Sequence, residues 1–215
     1  MISSSFLSIK KKKRITKLFL LPMVVLMFFS CEKDKSKFDE ALLIGKWRSG
    51  QLYYTYESNF RGKTWDEADD VHEDEAQRFE WSLKGSKLEQ IHIMEIGGGR
   101  IPKLYTVTEL TSRTLRYKDD YRSYSFTKVN TISGRVTLNS SPLPDVRISI
   151  SSGSSVTTNA QGYYTLNVTY GSDVTITPSL TDYTFTPPNM TFNNVTSNQP
   201  NRDFTATIVT QTPNY

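Results

Sequence analysis

The stretch Phe79-Glu80-Trp81-Ser82-Leu83, followed by Gly85-Ser86, alternates apolar and polar side chains with period two. That period puts one face of an extended strand on a core and the other in water, and the Gly-Ser pair supplies a turn. Outward from it the pattern recurs: Leu52, Tyr54 and Tyr56 alternate with Tyr53 and Thr55, and Tyr124 and Phe126 with Ser123 and Ser125. Gly97-Gly98-Gly99, Ser112-Arg113 and Lys118-Asp119-Asp120 read as turns between the runs. Residues 38–129 therefore read as about six to eight short antiparallel strands with little helix. Such a meander either exposes its edges or closes into a barrel, and closure removes the hazard of unpaired edges.

Composition changes after Lys128. Residues 131–215 hold no Lys, Glu, His or Cys; their charges are Arg135, Arg147 and Arg202 against Asp145, Asp173, Asp182 and Asp203. Alternation continues in Ile132, Gly134, Val136 and Leu138, in Val146, Ile148 and Ile150, and in Tyr164, Leu166, Val168 and Tyr170. Pro142-Leu143-Pro144-Asp145, Asn159-Ala160-Gln161-Gly162 and Tyr170-Gly171-Ser172-Asp173 mark turns at the spacing of an antiparallel sandwich, about seven strands over residues 131–208. The whole chain thus reads as all-β, with Val129-Asn130 as a short link between two domains and residues 209–215 as a tail. A length of 215 residues suits two small domains and excludes most large catalytic folds.

Two resemblances follow from quoted motifs. Ile44-Gly45-Lys46-Trp47, with Tyr105-Thr106-Val107-Thr108-Glu109-Leu110-Thr111 and Leu115-Arg116-Tyr117, resembles the lipocalin-like domains of bacterial lipoproteins. That resemblance implies a cup-shaped barrel whose Gly-x-Trp tryptophan plugs the closed end, and a small-molecule ligand. Ser133-Gly134-Arg135-Val136, Pro142-Leu143-Pro144-Asp145-Val146-Arg147-Ile148, Thr158-Asn159-Ala160-Gln161-Gly162-Tyr163-Tyr164 and Tyr183-Thr184-Phe185-Thr186-Pro187-Pro188 with Asp203-Phe204 resemble the carboxypeptidase-regulatory-like domain. It implies a prealbumin-type sandwich acting as a non-catalytic spacer or docking surface on a surface protein. Related surface sandwiches carry a Lys-to-Asn isopeptide staple, which a segment without lysine cannot form internally.

The formal net charge of +4 is misleading. Lys10, Lys11, Lys12, Lys13, Arg14 and Lys17 all precede residue 30, where no acid occurs; without them 20 basic residues face 22 acidic ones. Nucleic-acid binding needs a basic stripe on the folded surface, so no nucleic-acid partner is expected. The cationic run leads into twelve apolar residues, Leu18 to Phe29, short of the ~20 that span a bilayer, and then Ser30-Cys31. Residues 1–30 read as a signal peptide. The lone Cys31 precludes an internal disulfide and resembles the lipidation point of bacterial lipoproteins, followed by a charged tether over residues 31–37. The expected partner is a membrane, the outer membrane of a Gram-negative cell and its exposed face, reached through lipid on Cys31.

Candidate sites are few. Tyr54, Trp81, Tyr105, Tyr117 and Tyr124, with Trp47, either line a cup, where rings offer apolar area with a polar handle, or form the core and cross-strand pairs. Asp66, Glu67, Asp69, Asp70, Glu73, Asp74 and Glu75 put seven carboxylates into ten positions without the glycine a calcium loop needs, the pattern of a solvated loop or short helix. His72, Glu75 and His92 are a legitimate zinc donor set if they converge, but His92 alternates with Ile91 and Ile93 and reads as a surface position. No Ser/His/Asp set is visible, and Gly97-Gly98-Gly99 lacks the helix a phosphate cradle needs. The sequence points to a non-enzymatic lipoprotein without cofactor or metal, binding a small molecule, glycan or envelope protein. The alternatives are a structural or adhesive protein with a filled barrel and, remotely, a zinc hydrolase.

Overall fold

The computed structural model describes residues 38–94 and 97–209; residues 1–30, read as a signal peptide, and residues 31–37, read as a tether with Cys31, lie outside the described residues, as do residues 210–215 of the tail. Period-two runs become strands: β1 (Gly45–Ser49), β2 (Leu52–Tyr56), β3 (Arg61–Asp66), β4 (Gln77–Lys84), β5 (Lys87–Ile93), β6 (Arg100–Leu110), β7 (Thr114–Lys118) and β8 (Ser123–Leu138). Each pairs antiparallel with the next, and β1 returns to β8 with Trp47 opposite Lys128, so eight strands close on themselves. Inward side chains of these strands make one hydrophobic cluster, led by Trp47, Tyr56, Phe79, Tyr117 and Phe126.

The end at which the chain enters is plugged. A 3-10 turn, Glu40–Leu42, capped by the Asp39 carboxylate accepting from the Ala41 N–H at 3.0 Å, delivers Leu43 beneath the sheet. Trp47 Nε1 donates to the Leu43 carbonyl at 2.7 Å, and Lys128 Nζ donates to the Leu42 carbonyl at 2.9 Å while lying 5.1 Å from the Trp47 ring centre. Gly45 makes room: its φ is 129°, and a Cβ there would stand 2.6 Å from Lys128 Cε.

Beyond Leu138 the strands are β9 (Ser141–Pro142), β10 (Arg147–Ile150), β11 (Ser155–Thr157), β12 (Tyr163–Thr169), β13 (Val174–Ser179), β14 (Tyr183–Thr186), β15 (Met190–Phe192) and β16 (Phe204–Ile208). One layer joins β12, β8, β16 and β14, with β9 on β8; the other runs β11-β10-β13-β15. Ile132, Leu166 and Phe204 from the first meet Ile148 and Ile176 from the second in a separate core.

Two expectations are corrected here. Val129-Asn130 is no link: β8 is a continuous strand of 16 residues that passes from the first core into the second. Thr127 pairs with Thr114 and Arg48, and Val129 with Lys46 and Thr169, so the ladder is handed from β7 and β1 to β12 without a gap. The Lys128 N–H donates to the Arg113 carbonyl and its carbonyl accepts from the Tyr170 N–H, both at 2.9 Å. Backbone hydrogen bonding is indifferent to the composition change that suggested a boundary. The second arrangement is also not a seven-stranded antiparallel one: its two layers use eight strands besides β9, the first borrowed from the closed sheet, and β16 runs parallel to β8.

Candidate functional site

The turns β1–β2, β3–β4, β5–β6 and β7–β8 all lie at the end of the closed sheet opposite its plug. Near that end Tyr105, Tyr117 and Tyr124 gather, their ring centres 4.6 to 5.7 Å apart. Tyr124 Oη donates to Asp119 Oδ2 at 3.0 Å, while Asp119 Oδ1 accepts from the N–H groups of Tyr121 and Arg122, both at 2.8 Å. Those backbone bonds hold the Asp119 carboxyl below its ordinary pKa and fix a negative charge at the rim. Tyr54 reaches the group from β2, its ring edge-on to Phe126 at 5.4 Å. Burial pushes the phenols of Tyr54, Tyr105 and Tyr117 up, so all stay protonated hydrogen-bonding groups at neutral pH.

A second polar group crosses the interior. Gln90, fully buried, donates from Nε2 to Tyr56 Oη at 2.6 Å; His92 places Nε2 3.1 Å from Gln90 Oε1 and Nδ1 3.1 Å from the Gln77 side-chain amide. Burial lowers the His92 pKa to about 4, so the imidazole is neutral and has one N–H. With Gln90 Nε2 committed to Tyr56, its oxygen accepts from His92 Nε2–H. Gln77, whose oxygen and nitrogen are interchangeable by rotation, then presents its amide NH₂ to His92 Nδ1.

The structure thus brings Tyr54, Tyr105, Tyr117 and Tyr124 together, while Trp81 belongs to the opposite wall. Its Nε1 donates to the Arg61 carbonyl at 3.0 Å, and its ring contacts Tyr56 and Phe60. The rings occupy the interior they face: Tyr54, Trp81, Tyr105 and Tyr117 are all buried, and Tyr124 half-buried. Among the described residues the space beneath them is taken by buried side chains. What the end offers outward is a surface bearing the exposed side chains of Met94, Ile101 and Tyr121 on the β5–β6 and β7–β8 hairpins.

His92 corrects the sequence reading. The alternation with Ile91 and Ile93 is real, but the histidine takes the inward face, and the isoleucines the outward one. The parity of Leu88, two residues before Gln90 and four before His92, carried the signal: all three share one face with a core leucine. His72 lies elsewhere, on the exposed acidic segment, 3.8 Å from Asp70. Both His92 ring nitrogens are occupied by glutamines inside the sheet, so His72, Glu75 and His92 do not converge. Among the described residues no three His, Cys, Asp or Glu side chains group to hold a metal.

The acidic segment forms two 3-10 turns, Glu67–Asp69 and Glu73–Glu75, laid over the outer wall as a strap. Val71 and Ala76 cover the stacked Tyr53 and Trp65 rings, 5.0 Å apart, and Glu73 accepts from Lys46 Nζ at 2.5 Å. Apart from Glu73 and Asp66, whose carboxylate accepts from the Ala68 N–H, the segment's carboxylates face solvent.

No family model matches the sequence, and no curated protein matches it. Among solved structures, a lipocalin-like protein from Bacteroides uniformis is similar at 16% identity over 40% of this chain and 98% of its own, with a TM-score of 0.33.

Proposed function

We propose that the chain is a non-enzymatic, membrane-anchored surface lipoprotein whose closed sheet, a small lipocalin-like barrel, binds a small molecule at its tyrosine end, with a carboxypeptidase-regulatory-like sandwich as spacer. The observation carrying the reading is the coincidence, at the end away from the plug, of three clustered tyrosines, the Asp119 carboxylate and the exposed side chains of Met94, Ile101 and Tyr121. Rings with polar handles beside an apolar rim are the composition of small-ligand sites. Because the rings fill the space below, the ligand lies on the rim and is small.

Native mass spectrometry of the purified protein after exposure to cell-envelope extract tests this. A retained small-molecule mass that disappears with Tyr124→Ala supports the site; the bare chain mass throughout transfers the assignment to a structural or adhesive envelope protein. That second reading is favoured by the filled interior. Anchoring at Cys31 is tested separately: Cys31→Ala leaves the product soluble in the periplasm, and membrane association of that variant ends the lipid reading.

A further inference from the structure

After residue 130 charged side chains are scarce, and most are committed to structure. Arg135 Nε donates to the Gln161 carbonyl and its guanidinium lies 5.2 Å from the Tyr163 ring centre; Arg202 donates to Gln199 at 2.8 Å and lies over Phe192. Asp173 accepts from the Asn194 N–H and Asp203 from the Arg135 N–H, both at 2.7 Å. Among the described residues the side chains of Asp145, Arg147 and Asp182 make no ion pair or hydrogen bond.

Two of these uncommitted charges share one location. Asp145 and Arg147 line a shallow groove of about 530 Å³ together with Ser179, Leu180, Tyr183 and Phe185. Asp182 is not among the lining residues; it lies in the neighbouring turn, where the Tyr183 N–H donates to the Leu180 carbonyl at 3.2 Å as the chain crosses from one layer to the other. Tyr183 and Phe185, two apart on β14, lie half-buried on the same side, Phe185 packing against the second core; Arg147 and Ser179 are register partners across β10 and β13.

We infer that this groove is a saccharide-binding site, distinct from the tyrosine end of the closed sheet. A sugar offers an apolar C–H face and a rim of hydroxyls that donate and accept. The half-buried Tyr183 ring beside Phe185 matches the first, and the unpaired Arg147 with the unpaired Asp145 matches the second, the guanidinium donating and the carboxylate accepting. One cation against one carboxylate leaves the lining without net charge and favours neither an anionic nor a cationic ligand. The occupant is a neutral glycan.

Affinity electrophoresis of the purified protein in gels containing soluble starch, xylan or galactomannan tests the inference. Retardation is expected with at least one polysaccharide. Arg147→Ala and Asp145→Asn, the latter chosen because Asp145 has φ 61° and Asn tolerates that region, each weaken it about tenfold without moving the melting temperature. Tyr183→Phe retains binding and Tyr183→Ala loses it, whereas Tyr124→Ala leaves it unchanged. Absence of retardation in all three gels, or retardation that survives Arg147→Ala and Asp145→Asn, overturns the assignment.

Discussion

The ammonium of Lys128 lies 5.1 Å from the centre of the Trp47 ring, the two residues facing each other across the β1–β8 seam that closes the sheet. Burial lowers the Lys128 pKa, and this desolvation is offset by the ammonium's hydrogen bond to the Leu42 carbonyl and by the Trp47 ring. Gly45 is the residue that permits it. Gly45→Ala both strains a φ of 129° and drives a Cβ to 2.6 Å from Lys128 Cε, and is expected to cost about 2 kcal/mol in chemical denaturation. Lys128→Ala in the same chain removes the collision and leaves the strain, so the two substitutions should be sub-additive by about 1 kcal/mol. Strict additivity would show that the lysine stem does not occupy the space beside Gly45.

Tyr56→Phe removes the acceptor of the Gln90 amide in a fully buried setting, and is expected to destabilise by roughly 1 to 3 kcal/mol, because an orphaned buried donor costs its full desolvation. Tyr124→Phe removes a hydroxyl at a half-exposed rim, where water replaces the lost bond to Asp119, and should stay within about 1 kcal/mol of wild type. Equal melting shifts for the two would contradict the interior polar group.

His92 makes stability depend on pH in a stated direction. Its folded pKa, about 4, is below the ordinary 6.5, so between those values the unfolded chain binds more protons and stability falls as pH falls. The full difference is present above pH 6.5 and has been lost once pH drops through 4. Since His92 lies close beneath the rim, where water relieves part of the desolvation, the loss is expected to be roughly 2 kcal/mol. His92→Gln should flatten this part of the stability profile measured by urea unfolding; an unchanged slope would place the titrating group elsewhere.

The sequence shows which of these features were legible in it. Period-two alternation at Phe79, Trp81 and Leu83 locates strand and inward face because burial imposes that period directly. Gly45 and Trp47 marked the plug only through the resemblance of their Gly-x-Trp motif to lipocalin-like domains. For His92 the period was visible but its sign was not, since a histidine suits either face until its partners are known, and both partners, Gln77 and Gln90, are polar residues that look external. Whether the tyrosines line a cup or fill it depends on ring volume against barrel volume, which strand number and stagger set, and neither is local. The parallel pairing of Phe204 with Val136 joins residues far apart in the chain, and no local pattern encodes it.

The unbroken β8 carries the last prediction. Val129 has Lys46 on one side and Thr169 on the other, so unfolding either half strips pairing from the same residue, and the two cores should melt together. All three tryptophans, Trp47, Trp65 and Trp81, precede residue 130, so tryptophan fluorescence reports the closed sheet alone while far-ultraviolet circular dichroism reports the whole chain. Their thermal midpoints are expected to coincide, and calorimetric and van't Hoff enthalpies to agree. Asn130→Pro, which deletes an N–H from β8 opposite Val168, should lower both midpoints together, by a destabilisation of about 3 kcal/mol. A proline that shifted only the dichroism would mean that the strand passes through two independent units; a common shift means that neither core is stable without the other, because the strand that closes the first sheet is also the floor of the second.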